Sequence, residues 1–177
     1  MRVYLPATLP LLRRWYDDGR APVARGFAVT AALRESYRDG DLEELEWVAQ
    51  QAAARASLEL LAADEEAPRR RVVLAMDVPD AALRADPGLV AGTAATDPAS
   101  VTVTGEVARS QWASVLVDDP AASFPATPDG AAIAGAIDVA RRGGGGRSDP
   151  EGQDRLDDAE AVELGWWAIQ ELPALFG

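Results

Sequence analysis

Apolar positions along the chain follow two periods, and the longest stretch follows the helical one. Leu42, Leu45, Ala49, Ala52, Ala53, Ala56 and Leu60 recur at spacings of three and four, which predicts an amphipathic helix running to about Ala63. Asp41 and Glu44 form an acidic capping box at its start. The small alanines of the stripe predict close packing against a sheet or another helix, with Trp47, Leu58 and Leu61 beside it. Thr8 is placed to cap an earlier helix carrying Leu9, Leu12 and Tyr16, stopped by Gly19, and Thr30 to cap a short one through Tyr37 that ends near Gly40. Thr127 and Pro128 open a further helix, in which Ala131, Ile133, Ala134, Ile137 and Ala140 lead to about Arg142.

Period-two patterns predict the strands. Residues 2–5 read as a strand stopped by Pro6, and Phe27 to Val29 as a brief extended piece. The run VVLAM at 72–76 is apolar on both alternating sets, as in a strand buried on both faces. Val101, Val103 and Val107 alternate with Thr102, Thr104 and Glu106, so this segment has one wet face. Four residues then separate it from WASVLVDD, a spacing that fits a hairpin. Residues 80–99 form a long connection containing Pro87 and Pro98, with a short helix around Ala82 to Arg84. These elements predict an α+β fold: a small, mainly antiparallel sheet of about four strands packed against the long amphipathic helix, with further helices completing the core.

Near the end the pattern breaks at RRGGGGRSDPEGQD, which lacks apolar residues and predicts a flexible Gly-rich linker at about 143–156. Beyond it, Asp157 or Asp158 is placed to cap a docked C-terminal, Trp-rich helix with Val162, Trp166, Ile169 and Leu172 on one face and Leu164 and Trp167 widening it. The whole of 1–177 reads as a single domain.

Composition narrows the chemistry. The 177 residues include no His, Cys, Lys or Asn, and all 17 basic residues are Arg. Imidazole bases, thiolates, Schiff-base lysines and the usual nitrogen or sulfur ligands of zinc are thereby absent, leaving carboxylates, hydroxyls, phenols and guanidinium. No GxSxG elbow occurs, and Gly143 to Gly146 lack the GK[ST] of a phosphate loop. The net charge of −12 disfavours nucleic acid and anionic membranes as partners. No run reaches the ~18 apolar residues of a membrane span. The amino terminus reads as neither signal peptide nor anchor, so with no Cys the expected location is cytoplasmic. No cofactor is expected.

Three groups remain as candidates. Asp77 and Asp80 follow one strand, and Asp118 and Asp119 follow another. In an antiparallel meander these two strands run the same way and bring the four carboxylates to one sheet edge, where oxygen ligands suit magnesium or calcium. Strands one neighbour apart lie ~9.5 Å from each other, and a different strand order brings them to ~4.8 Å. Ordinary turn and cap chemistry beside proline also accounts for them. Arg69, Arg70 and Arg71 fit an anion clamp, or a solvated strand end that answers the adjacent acids. Arg141, Arg142 and Arg147 are explained by a helix end and the linker. Trp166 and Trp167 would point about 100° apart on a helix, so one completes the core and the other faces a partner, unless the helix buries both.

The segments MRVYLPAT, FAVTAALRE, DLEELEWVAQQAAARASLELLA, RRRVVLAMDVPDA, WASVLVDD and ELGWWAIQELPALF together resemble a family of small, acidic, uncharacterised actinobacterial proteins, a domain of unknown function. The resemblance spans nearly all of the chain outside the 80s–90s connection and the glycine run. It implies a bacterial cytosolic protein and carries over no catalytic position. The function expected from the residues is a non-enzymatic binding or protein-interaction module, forming a homodimer or engaging a protein partner. The competing expectation is a divalent-metal-dependent hydrolase using the strand-end aspartates.

Overall fold

The computed structural model describes residues 1–22, 24–37, 39–85, 97–145 and 149–177. Strand β1 (Arg2–Ala7) leads into α1 (Leu9–Asp18), where the Thr8 hydroxyl accepts a hydrogen bond from the Leu11 amide and Gly19, at φ 73°, makes the left-handed stop. Next come β2 (Arg20–Ala21), β3 (Ala24–Ala28) and α2 (Ala31–Ser36), the last capped by Thr30. Helix α3 (Leu42–Ala63) begins at the expected capping box, with Asp41 and Glu44 each accepting from the other's amide at 3.0 and 3.1 Å.

Strand β4 (Val72–Asp77) is followed by β5 (Leu83–Ala85), β6 (Ser100–Val103), β7 (Val107–Ala108) and β8 (Trp112–Asp118). Helices α4 (Pro128–Arg141) and α5 (Pro150–Glu160), strand β9 (Leu164–Trp167) and the short α6 (Leu172–Leu175) complete the described elements. Seven strands form one antiparallel sheet in the order β5-β6-β3-β1-β4-β8-β9, and β2 pairs with β7 apart from it.

The antiparallel α+β class is as expected, but the sheet has seven strands rather than about four. The additional strands are short: β5 and β9 lie at the two edges of the sheet, and β3, between β6 and β1, contains Arg25 and Gly26, which interrupt any apolar alternation. Strand β1 continues through Pro6 to Ala7. It pairs with β3 only at Val3 and Tyr4, so Pro6 has one side on which no ladder bond is required. The expected hairpin between residues 101–107 and 112–117 does not form. Strand β6 joins β3 and β5, while β8 joins β4 and β9, so the two stand on opposite sides of the sheet's centre.

Strand β4 is buried on both faces, as its double apolar pattern predicts. Val72, Leu74 and Met76 point into a core with Val3, Leu5, Leu12, Val115 and Leu172, beneath α1 and the C-terminal segment. Val73 and Ala75 point the other way, to Tyr4, Phe27 and the α3 residues Leu45, Ala49 and Ala53. Leu42, expected on that stripe, is 54% exposed. Ser57 ties the helix to the sheet: its hydroxyl donates to the Ala7 carbonyl at 2.7 Å and accepts from the Val72 amide at 3.0 Å. The far half of α3 packs on α4 and α5 through Leu58, Leu61, Ile133, Ile137 and Leu156.

Two corrections concern the C-terminal third. Residues 150–160, placed largely within the expected linker, form α5. Asp149 caps it, accepting from the amides of Gly152 at 3.0 Å and Gly145 at 2.9 Å, and these two bonds hold its carboxyl below the usual carboxylate range. Gly146 and Arg147 of the same expectation lie outside the described residues, as does Pro87 of the long connection. The expected Trp-rich helix is instead strand β9, a 3-10 turn at Ile169–Glu171 and the four-residue α6. Its sequence is apolar at both periods, and pairing with the open edge of β8 selects the extended form. Among the described residues no helix is long and apolar enough to cross a membrane.

Candidate functional site

The strand-end aspartates do not converge. Strands β4 and β8 are adjacent and antiparallel, not two strands of a meander running the same way, so their C-terminal ends lie at opposite edges of the sheet. Asp118 stands across from Arg71, and Asp77 is six residues further along β4. At ~3.3 Å per residue the separation is about 20 Å, well beyond the reach of one ion. Asp77 accepts from Arg2 Nε at 2.8 Å, and Asp80 lies 3.3 Å from the amino group of Met1. No group of three acidic side chains among the described residues is placed to hold a metal ion.

Asp118 has a different task. Its side chain is fully buried, and so, within 1%, is that of Arg71. One carboxylate oxygen accepts from Arg71 Nη2 at 2.7 Å and the other from the Arg71 amide at 2.7 Å, while Arg71 Nε spans both at 3.0–3.1 Å. Arg71 Nη2 also donates to the Val162 carbonyl at 2.7 Å, which fastens the chain entering β9 to the sheet. Asp119 turns away and caps the 3-10 turn at Pro120–Ser123, accepting from the Ala121 amide at 2.8 Å.

The three arginines therefore divide. Arg69 is exposed, Arg71 is committed to Asp118, and Arg70 lies between these extremes. Arg70 is only 8% exposed, and its Nε donates to the Asp118 carbonyl at 2.7 Å. Burial lowers its pKa, opposed by the charges of Asp118 and Asp119. It lines a pocket of about 330 Å³ together with Asp118, Asp119, Asp129, Glu163 and Trp167. One member or more of each sequence-derived group thus meets here.

On a strand, neighbouring side chains point to opposite faces, and the tryptophans separate accordingly. Trp167 pairs across from Val115, packs against the main core and borders the pocket. Trp166 pairs across from Leu116 at the last strand of the sheet and is 63% exposed.

A larger concavity, about 830 Å³, lies between the end of α2 and the first turns of α3. Leu45 and Val48 line it with the aromatic rings of Tyr37 and Trp47, which are 50% and 57% exposed. Asp39, Glu43 and Glu44 add carboxylates. Sequence reasoning placed Trp47 beside the buried stripe of α3 without assigning it a role. The available signal was an indole among glutamates on the polar side of an amphipathic helix, but its partner Tyr37 comes from another element.

No curated protein matches this chain, and no solved structure matches it. A family model does match, over residues 1–176, and the chain belongs to that family, the family of unknown function DUF6912.

Proposed function

We propose that this protein is a non-enzymatic interaction module that receives a basic segment of a protein partner in the groove between α2 and α3. The observation that carries the reading is the pairing of two half-exposed aromatics, Tyr37 and Trp47, with Asp39, Glu43 and Glu44 around one concavity. Exposed indole and phenol rings supply apolar area and attract guanidinium or ammonium groups over their faces. The carboxylates add attraction to the same cations and repel phosphates, so a peptide bearing Arg or Lys beside apolar residues is the complementary occupant. A second copy of the same surface is disfavoured by like charge.

Isothermal titration with a synthetic peptide of alternating arginine and leucine tests this. Binding is expected to weaken with added salt and to fall about tenfold or more in Trp47→Ala, in keeping with the weight of buried indoles at interfaces. Unchanged affinity in a folded Trp47→Ala protein would sink the reading, because diffuse attraction to an acidic surface does not depend on one ring.

A second reading, self-association, is favoured by β9. It is the terminal strand of the sheet, and Trp166 stands exposed on it. Two copies pairing edge to edge around a two-fold axis would cover both indoles. Sedimentation velocity should then show a dimer that Trp166→Ser dissociates, and a strict monomer over the accessible concentration range excludes it.

A further inference from the structure

We infer that the pocket where β4, β8 and β9 meet binds a small zwitterion, its carboxylate on the Arg70 guanidinium and its cationic end among Asp119, Asp129 and Glu163. The inference concerns a site separate from the α2–α3 groove and stands or falls independently of it. Its starting point is an incomplete set of hydrogen bonds. A guanidinium has five N–H donors, and those that no protein group accepts must be left to water or to a ligand. Arg71 donates to Asp118 and the Val162 carbonyl. Its neighbour Arg70 is nine-tenths buried yet uses only Nε, on the Asp118 carbonyl. Its two terminal nitrogens have no protein acceptor and no ion-pair partner among the described residues, and they are not fully buried, so they face the water of the pocket.

Asp118 cannot supply the missing acceptors, because Arg71 already occupies both of its carboxylate oxygens. Asp119 holds an oxygen on the Ala121 amide. The side chain is kept down by the Nε bond and opens on the 330 Å³ pocket, close to the lower end of small-molecule sites. A planar guanidinium presenting free terminal nitrogens matches a carboxylate in the bidentate manner.

The surrounding groups limit what else the ligand carries. Asp119, Asp129 and Glu163 are exposed residues bordering the same pocket, and together they outweigh the single charge of Arg70. Phosphates and dicarboxylates would meet that repulsion. A monocarboxylate bearing an ammonium or guanidinium group turns it into attraction, and Trp167 offers its ring to the alkyl part or the cation.

The test is calorimetric titration with glycine, 4-aminobutyrate and 6-aminohexanoate, with acetate and propylamine as single-charge controls. At least one aminocarboxylate should bind about tenfold or more tightly than either control, and the best chain length reports the distance between Arg70 and the surrounding carboxylates. Arg70→Gln should abolish binding of the aminocarboxylates and of acetate. Glu163→Gln, at an exposed position, should reduce the preference for the zwitterion, with acetate bound at least as tightly as by the parent because one repelling charge is gone. The proposal is overturned if no aminocarboxylate exceeds the controls, or if Arg70→Gln binds as tightly as the parent. Should Arg70→Gln fail to fold, full retention of the preference in both Glu163→Gln and Asp129→Asn overturns it.

Discussion

Removing the Asp118 carboxylate isolates the buried charge pair. Asp118→Ala leaves the Arg71 guanidinium, 1% exposed, without the acceptors on its Nε and on the pairing edge of Nη2, and with only the Val162 carbonyl remaining. The Arg71 amide loses its acceptor as well. Breaking one side of a buried pair typically costs about 3–5 kcal/mol, because the remaining charge stays desolvated. For 177 residues the unfolding entropy near 60 °C is about 0.37 kcal/mol/K, so Tm should fall by roughly 8–13 °C. Thermal and urea melts followed by circular dichroism measure this directly. The decisive control removes both charges. Asp118→Leu combined with Arg71→Met should recover part of the loss, since no buried charge then stands alone, although the position-71 amide and the Val162 carbonyl still lack their partners. A loss below about 1 kcal/mol in Asp118→Ala, or a double variant no better than the single one, would refute the assignment of Asp118 as the counter-charge of Arg71.

Three other perturbations probe the scaffold. Ser57→Ala removes one hydroxyl that serves both the Ala7 carbonyl and the Val72 amide, and urea melts should show a loss of about 1–3 kcal/mol. Gly130→Ala should destabilise α4 severely, because an added Cβ would lie 2.0 Å from the Phe124 carbonyl oxygen; a variant with a native melting profile contradicts the close approach. The Tyr4 phenol is pushed up to about 12 from 10.0, by burial first and then by Glu46. Between those values the unfolded chain gives up this proton and the folded chain keeps it. Tyr4 therefore contributes stability in full below pH 10 and loses roughly 2–3 kcal/mol of it as pH rises to about 12. Urea melts across this range should show the decline flattened in Tyr4→Phe.

How far the sequence revealed the fold depended on where each element finds its partners. Helix α3 and strand β4 were legible because their patterns record burial directly: a capping box and a three–four stripe for one, apolar residues on both faces for the other. The C-terminal segment was not. Leu164, Trp166 and Trp167 fit both a helix and a strand, and the choice depends on an open edge of β8 that no local pattern reveals. The glycine run misled in the opposite direction. Gly143 and Gly145 take positive φ to finish α4, and the Asp149–Pro150 signal behind them starts a real helix. Sparse apolar content reflects the small burial of α5, where Gly152, Leu156 and Ala159 are the buried residues.

The same dependence on strand order decides the site. A strand preceded by Arg and another ending in Asp will bring those residues together only if the strands are adjacent and antiparallel, so Arg71 and Asp118 identify each other once β4 and β8 are neighbours. Read in a meander, the same Asp118 stood with Asp77, where either a bound ion or ordinary turn and cap chemistry explains the acids. In the observed order the charge is already answered by protein, and the cation one residue earlier engages only its Nε among the described residues. Alternation along an extended chain accounts for the difference between the two arginines. Arg71 directs its side chain to the carboxylate of Asp118, while Arg70 reaches only the carbonyl of the same residue. The chemistry left open at this end of the sheet is therefore recognition of a carboxylate by guanidinium, which needs neither the imidazole nor the thiol that the chain lacks.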